Sequence, residues 1–143
     1  MTEERIVNLL ELENFSCNFA NKISTSEVIL IKGDLGSGKT TLIRSLIKNI
    51  FFLKKEKPPK IIPSPSFPIL QSYDLKDFII HHYDFYRVKE IKEIIEVGFE
   101  ENIQGNITFI EWPEIILPII NSYRFRTIEL SMLYNNKRKL IVY

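Results

Sequence analysis

The stretch Gly33-Asp34-Leu35-Gly36-Ser37-Gly38-Lys39-Thr40 decides how this chain is read. It matches the pattern G-x-x-x-x-G-K-S/T at every fixed position. The glycines let successive backbone N–H groups turn inward around phosphate oxygens. A helix that follows such a loop turns its positive N-terminus towards the same anion. Lys39 is a mobile point charge that can reach the β- and γ-phosphates. The Thr40 hydroxyl is an oxygen ligand of the kind a hard cation such as Mg²⁺ prefers. Gly33, Gly36, Ser37, Gly38, Lys39, Thr40 and Thr41 are therefore the candidate nucleotide-binding residues.

The flanks are those the motif requires. Before it, Glu27-Val28-Ile29-Leu30-Ile31-Lys32 is a short β-branched run, the profile of a buried strand. After it, Leu42, Leu46 and Ile50 recur at helical spacing over residues 40–52. Upstream, Leu12, Phe15, Phe19 and Ile23 predict a helix with one buried face, broken at Ser24-Thr25-Ser26; residues 5–10 are apolar but of undecided type. Downstream, residues 54–60 read as a Lys- and Pro-rich loop, and Pro63, Pro65 and Pro68 forbid a helix there. Strands are expected at 69–73, 78–83 and 107–110, and a helix over 90–97 that Gly98 ends. A short helix interrupted by Pro118 is expected over 113–120. Two last strands, 125–132 and 138–143, form a hairpin around Asn135-Asn136. Elements alternate β and α and then turn strand-rich. The expectation is an α/β domain over residues 1–143: a P-loop NTPase three-layer fold with a mixed parallel/antiparallel central sheet.

Composition narrows the classes. The chain has 143 residues, with 45% hydrophobic and 26% charged, which fits one ordinary globular domain. Its formal net charge of +1 gives no global attraction to nucleic acid. The local clusters Lys54, Lys55, Lys57, Lys60 and Lys137, Arg138, Lys139 read as solvated loops or turns, with contact to a nucleic acid or other acidic partner as the less common alternative. The polar start does not resemble a signal peptide, and no run of about 18 apolar residues predicts a membrane span. The one cysteine, Cys17, reads as a small core residue, and a reducing cytoplasm is the expected setting.

Phosphoryl transfer also needs acids, to hold the metal and to orient the attacking group. In such folds they stand at the C-terminal ends of strands beside the loop. Two positions qualify: Glu111, after Ile107 to Ile110, and Asp84, after Ile79 to Tyr83. Spacing alone does not choose between them. His81 and His82 are adjacent, so on a strand they face opposite sides and do not make one metal site easily. Trp112 fits either a core or a ligand rim. Arg87, Arg124 and Arg126 fit phosphate contacts or, more commonly, surface ion pairs.

Four blocks in order resemble the TsaE family: the loop extended to Thr41 and Leu42; Ser64-Pro65-Ser66-Phe67, close to S-P-T-F/Y; His82-Tyr83-Asp84-Phe85-Tyr86-Arg87, matching H-x-D-x-Y-R; and Glu111-Trp112-Pro113, matching E-W-P. Residues 93–101 are similar to the family's acidic stretch before that strand. The resemblance implies an ATPase that serves threonylcarbamoyladenosine formation next to the tRNA anticodon. Its implied partners are TsaD- and TsaB-type proteins, with any tRNA contact indirect, and ATP hydrolysis resets their complex. It implies ATP phosphates held by residues 36–41, Mg²⁺ held by Thr40 and Glu111, and Asp84 acting with Lys39 in catalysis. Ser66 stands where the family has Thr and keeps the hydroxyl, in a loop that implies a nucleotide-sensing switch.

Alternatives from other classes stay open beside it. One is a small P-loop kinase, although no arginine-bearing lid follows the loop helix. Another is a non-enzymatic nucleotide-binding module. A GTPase fits poorly, since Asn21-Lys22-Ile23-Ser24 lacks the Asp of N-K-x-D and precedes the loop.

Overall fold

The structure, a computed structural model, describes residues 2–143. A strand β1 (Glu3–Val7) leads through the N-cap Asn8 into α1 (Leu9–Ala20). Asn8 and Glu11 form a reciprocal capping box, which satisfies two of the amides that any helix start leaves bare. Then come β2 (Glu27–Lys32), α2 (Lys39–Leu53), β3 (Leu70–Asp74) and β4 (Ile79–Asp84). Two short helices, α3 (Ile91–Glu96) and α4 (Phe99–Ile103), precede β5 (Ile107–Glu111). A 3₁₀ turn (Pro113–Ile116) runs into α5 (Leu117–Ile120), and β6 (Arg124–Met132) and β7 (Arg138–Val142) close the chain.

All seven strands join one sheet in the order β1-β7-β6-β2-β5-β4-β3. The inner four are parallel; β3 at one side and β7 and β1 at the other run antiparallel to their neighbours. The sheet is mixed, as expected. Strand β2 shows why it sits at the centre. Ile29 and Ile31 enter a core shared with Phe15 and Phe19 of α1 and Leu42 and Leu46 of α2. Val28 and Leu30 enter a second core with Tyr83, Phe99, Ile103 and Ile110 on the opposite face. Period-two alternation in an all-apolar run thus makes three layers, helices on both faces of one sheet. The P-loop, Asp84 and Glu111 all lie at the C-terminal ends of parallel strands, the edge where ligands collect in such sheets.

Several local expectations change. Cys17 is exposed, and the buried polar position of α1 is Ser16. The buried arc is Leu12, Phe15, Ser16 and Phe19, and position 17 lies one helical step beyond it. Ser16 meets α2 instead, its Oγ accepting from Asn49 Nδ2 at 3.3 Å. Gly98 ends α3 but also opens α4, because its left-handed backbone (φ +82) redirects the chain so that Phe99 becomes fully buried. Residues 5–10 resolve into the end of β1, which pairs with β7, and the first turn of α1. The hairpin turn lies where the asparagines stand, with Asn135 and Asn136 at φ +59 and +57. Among the described residues, no helix is long and apolar enough to cross a membrane.

Candidate nucleotide site

The loop between β2 and α2 has the shape its glycines permit. At Gly33 a Cβ would stand 2.5 Å from Ser37 Oγ and 2.6 Å from the Leu130 carbonyl, distances no side chain tolerates. Gly38 holds φ +103 as the N-cap of α2, and a Cβ there would press on Arg138 Nε at 2.9 Å. Glycine has no side chain to cap the helix, so the first N–H groups of α2 remain for another acceptor.

Lys39 donates to the carbonyls of Gly33 and Asp34 at 2.7 and 2.8 Å. Its ammonium lies 4.2 Å from the centre of the Trp112 ring, a cation–π contact. Burial lowers its pKa below the ordinary value, while Glu111, Asp84 and Asp34 oppose that shift. Trp112 itself holds φ +54, uncommon for a bulky side chain, and packs against Tyr86 with ring centres 4.9 Å apart and planes tilted by 49°. It is therefore a rim residue rather than a core one.

The Thr40 hydroxyl donates to Glu111 Oε1 at 2.7 Å. The other carboxylate oxygen, Oε2, lies 2.7 Å from His82 Nε2. Asp84 is the cross-strand register partner of Glu111 and accepts from the Tyr86 N–H at 2.9 Å. Its pKa is raised, first by burial and also by Glu111, against the Tyr86 amide, His82 and Lys39. Of the two acids between which spacing did not choose, Glu111 is the one that touches Thr40.

Gly36, Gly38, Lys39, Thr40, Thr41, Asp84 and Glu111 line one cleft of about 460 Å³. Gly33 and Ser37 are not part of that lining. Gly33 offers its carbonyl to Lys39, and Ser37 Oγ is buried with no hydrogen-bond partner among the described residues. Leu35, Ser64, Ser66, Tyr86, Arg87, Trp112 and Arg138 complete the cleft wall. Arg138 is the residue that sequence reasoning passed over. It sat in a basic cluster read as a loop, yet its Nε donates to the Ser37 carbonyl at 2.9 Å. Arg87 lies over the Phe67 ring at 4.5 Å. Arg126 pairs instead with Glu27 at the far end of the sheet, and Arg124 is not part of the cleft lining. His81 and His82 diverge as expected: His81 bonds Ser72 at 2.8 Å, and His82 meets Glu111.

The donor set fits Mg²⁺ with a nucleotide triphosphate. Hydroxyl and carboxylate oxygens suit a hard cation, which takes one or two protein ligands and draws the rest from water and phosphate. Main-chain amides and one ammonium suit the phosphates. Beside the cleft lies an apolar cavity of about 440 Å³ lined by Leu9, Leu10, Leu12, Glu13, Thr41 and Ser45. Thr41 belongs to both walls, so the two spaces adjoin.

Residues 6–140 match the profile of the family described as threonylcarbamoyl adenosine biosynthesis protein TsaE. A relative from Rickettsia typhi, named tRNA threonylcarbamoyladenosine biosynthesis protein TsaE, is 42% identical over 128 residues, covering 90% of this chain and 85% of its own. One of the same name from Aquifex aeolicus is 33% identical and covers 94% and 93%. Among solved structures, Bacillus subtilus YdiB superposes with a TM-score of 0.70 at 21% identity, covering 99% of this chain and 86% of that one. At that identity the likeness speaks for the fold.

Proposed function

The chain belongs to the TsaE family, and from that premise we propose that it is a Mg²⁺-dependent ATPase acting in tRNA threonylcarbamoyladenosine biosynthesis. One observation carries the ATPase reading. Thr40 at the head of α2 and Glu111 at the end of β5 meet at 2.7 Å in the same cleft as Lys39 and Asp84. This is the minimal set for phosphoryl transfer to water, where catalysis is mostly positioning and electrostatics.

The residues take these roles. The amides of the loop and of the first turn of α2 bind the phosphates, and Lys39 exchanges its carbonyl partners for phosphate oxygens. Thr40 and Glu111 would hold Mg²⁺, which would supply positive charge against the phosphate oxygens. Asp84 orients the attacking water and accepts its proton; the water oxygen bonds to the γ-phosphorus as the bond from that phosphorus to the bridging oxygen breaks, and ADP and inorganic phosphate leave. Burial holds the Asp84 carboxyl above the ordinary carboxylate range, as suits a group that must take a proton. The base lies in the adjoining cavity, against Leu9 and Leu10. Ser64 and Ser66 of one segment and Asp84, Tyr86 and Arg87 of another line the cleft, and these segments act as the parts that respond to the γ-phosphate. The partners are TsaD- and TsaB-type proteins, and hydrolysis resets their complex.

The test is reconstitution. Over several turnovers of tRNA threonylcarbamoylation by the TsaD–TsaB pair, this protein with ATP sustains product formation, and Lys39→Ala does not. Equal multi-turnover yield without the protein sinks the proposal.

A further inference from the structure

Glu111 carries a buried carboxylate, and each of its oxygens has one partner. Oε1 takes the Thr40 hydroxyl, and Oε2 takes His82 Nε2, both at 2.7 Å. His82 is fully buried and Glu111 only 2% exposed, so water does not compete for these bonds. In the tautomer with its proton on Nε2, His82 donates to Oε2. The sheet explains the meeting. His82 and Asp84 are two apart on β4 and share a face with Ile80, which enters the core under α1 and α2. On β5, Glu111 shares that face with Ile107 and Phe109 of the same core. The imidazole therefore reaches the glutamate from the next strand, on the side where α2 presents Thr40.

We propose that His82 is a positioning residue for the metal site, fixing the Glu111 carboxylate so that its other oxygen is held at Thr40. The proposal rests on the Mg²⁺–nucleotide reading above. A glutamate has three side-chain torsions, and a ligand oxygen on so long an arm is only as well placed as its supports. The Thr40 hydroxyl cannot be the lasting support, because it is itself a candidate metal ligand. The Nε2 contact is the one that does not depend on it. A bond that merely ties β4 to β5 would serve the fold and leave metal affinity alone, and that difference is measurable.

The experiment uses the full chain and a fluorescent ATP analogue, titrated in EDTA and again in Mg²⁺, with Mn²⁺ binding followed by electron paramagnetic resonance. His82→Met and His82→Phe remove the donor; His82→Gln keeps one. Either donor-less variant that folds is expected to lose about 10–100-fold in metal affinity, with affinity in EDTA unchanged. His82→Gln recovers part of the loss. The proposal is overturned if the folded variants keep the wild-type response to metal. Equal loss of affinity with and without metal, or failure of both donor-less variants to fold, gives the residue a structural role and overturns it too. A wild-type protein that binds the analogue no better with Mg²⁺ overturns the metal half of that reading, and this proposal with it; one that does not bind the analogue at all overturns the nucleotide reading.

Discussion

Asp84 and Glu111 end adjacent parallel strands and are paired in register, so two buried acids stand side by side beneath one ammonium, that of Lys39. Burial is the first cause of the raised pKa of Asp84, and the like charge of Glu111 adds to it. Their environments differ, because Glu111 is bonded by Thr40 and His82 while Asp84 takes a single main-chain amide. Different surroundings imply different tasks.

Exchanging the acids one at a time separates those tasks. Glu111→Ala is expected to raise the Mg²⁺ concentration needed for half-maximal hydrolysis by about tenfold or more. Asp84→Asn is expected to leave that requirement near wild type and to lower the maximal rate by about 10²–10⁴-fold, the usual worth of a general base. Rate against Mg²⁺ for each variant is the measurement. The opposite pattern means the roles are reversed.

Lys39→Ala removes the one ammonium in the loop. Single-turnover ATP hydrolysis is expected to fall by about 10²–10³-fold, the scale for losing one preorganised donor at a developing charge. The change also frees the carbonyls of Gly33 and Asp34 and uncovers the Trp112 ring. Thermal unfolding measured alongside guards against misreading a folding defect. Undiminished turnover in a folded variant contradicts the loop assignment.

Leu10 is 71% exposed at the wall of the apolar cavity, an exposure that an apolar side chain covering a nucleotide base would lose. Leu10→Glu is expected to weaken ATP binding about tenfold, the equivalent of part of one buried leucine. Binding of inorganic tripolyphosphate, which has no base, should stay at the wild-type level. Calorimetric titration of both ligands decides it, since equal effects on the two, or none on ATP, place the base elsewhere.

His81 offers a pH prediction away from the metal site. Burial lowers its pKa below the ordinary 6.5, with Asp74 partly opposing. Asn106 Nδ2 can only donate and faces His81 Nε2 at 3.4 Å, so the proton sits on Nδ1 and goes to Ser72 Oγ at 2.8 Å. The folded ring stays neutral to a lower pH than a free imidazole. As pH falls through 6.5 the unfolded histidine binds a proton and the folded one does not, so stability drops. The loss levels off once pH is below the folded pKa. His81→Gln is therefore expected to show a smaller fall in Tm than wild type between roughly pH 7.5 and pH 5. Parallel curves for the two proteins contradict this.

By itself the sequence determined what adjacent residues can encode. The phosphate loop is legible because its amides, glycines, lysine and threonine are consecutive, and no distant contact is needed to form the turn. β2 reads as a central strand because an unbroken apolar run can only satisfy two buried faces. The hairpin shows in Asn135-Asn136, since asparagine tolerates the left-handed backbone found there. Tertiary structure alone decided which acid meets Thr40, 71 residues away, and that His82 stands behind that acid. It also brought Arg138 to the Ser37 carbonyl across 101 residues. Such contacts follow from strand order and register, which depend on how whole faces pack together. The α4 helix escaped because over five residues the apolar periodicity is too short to be read. Cys17 was misplaced by residue type, since it stands off the arc that Leu12, Phe15 and Phe19 define.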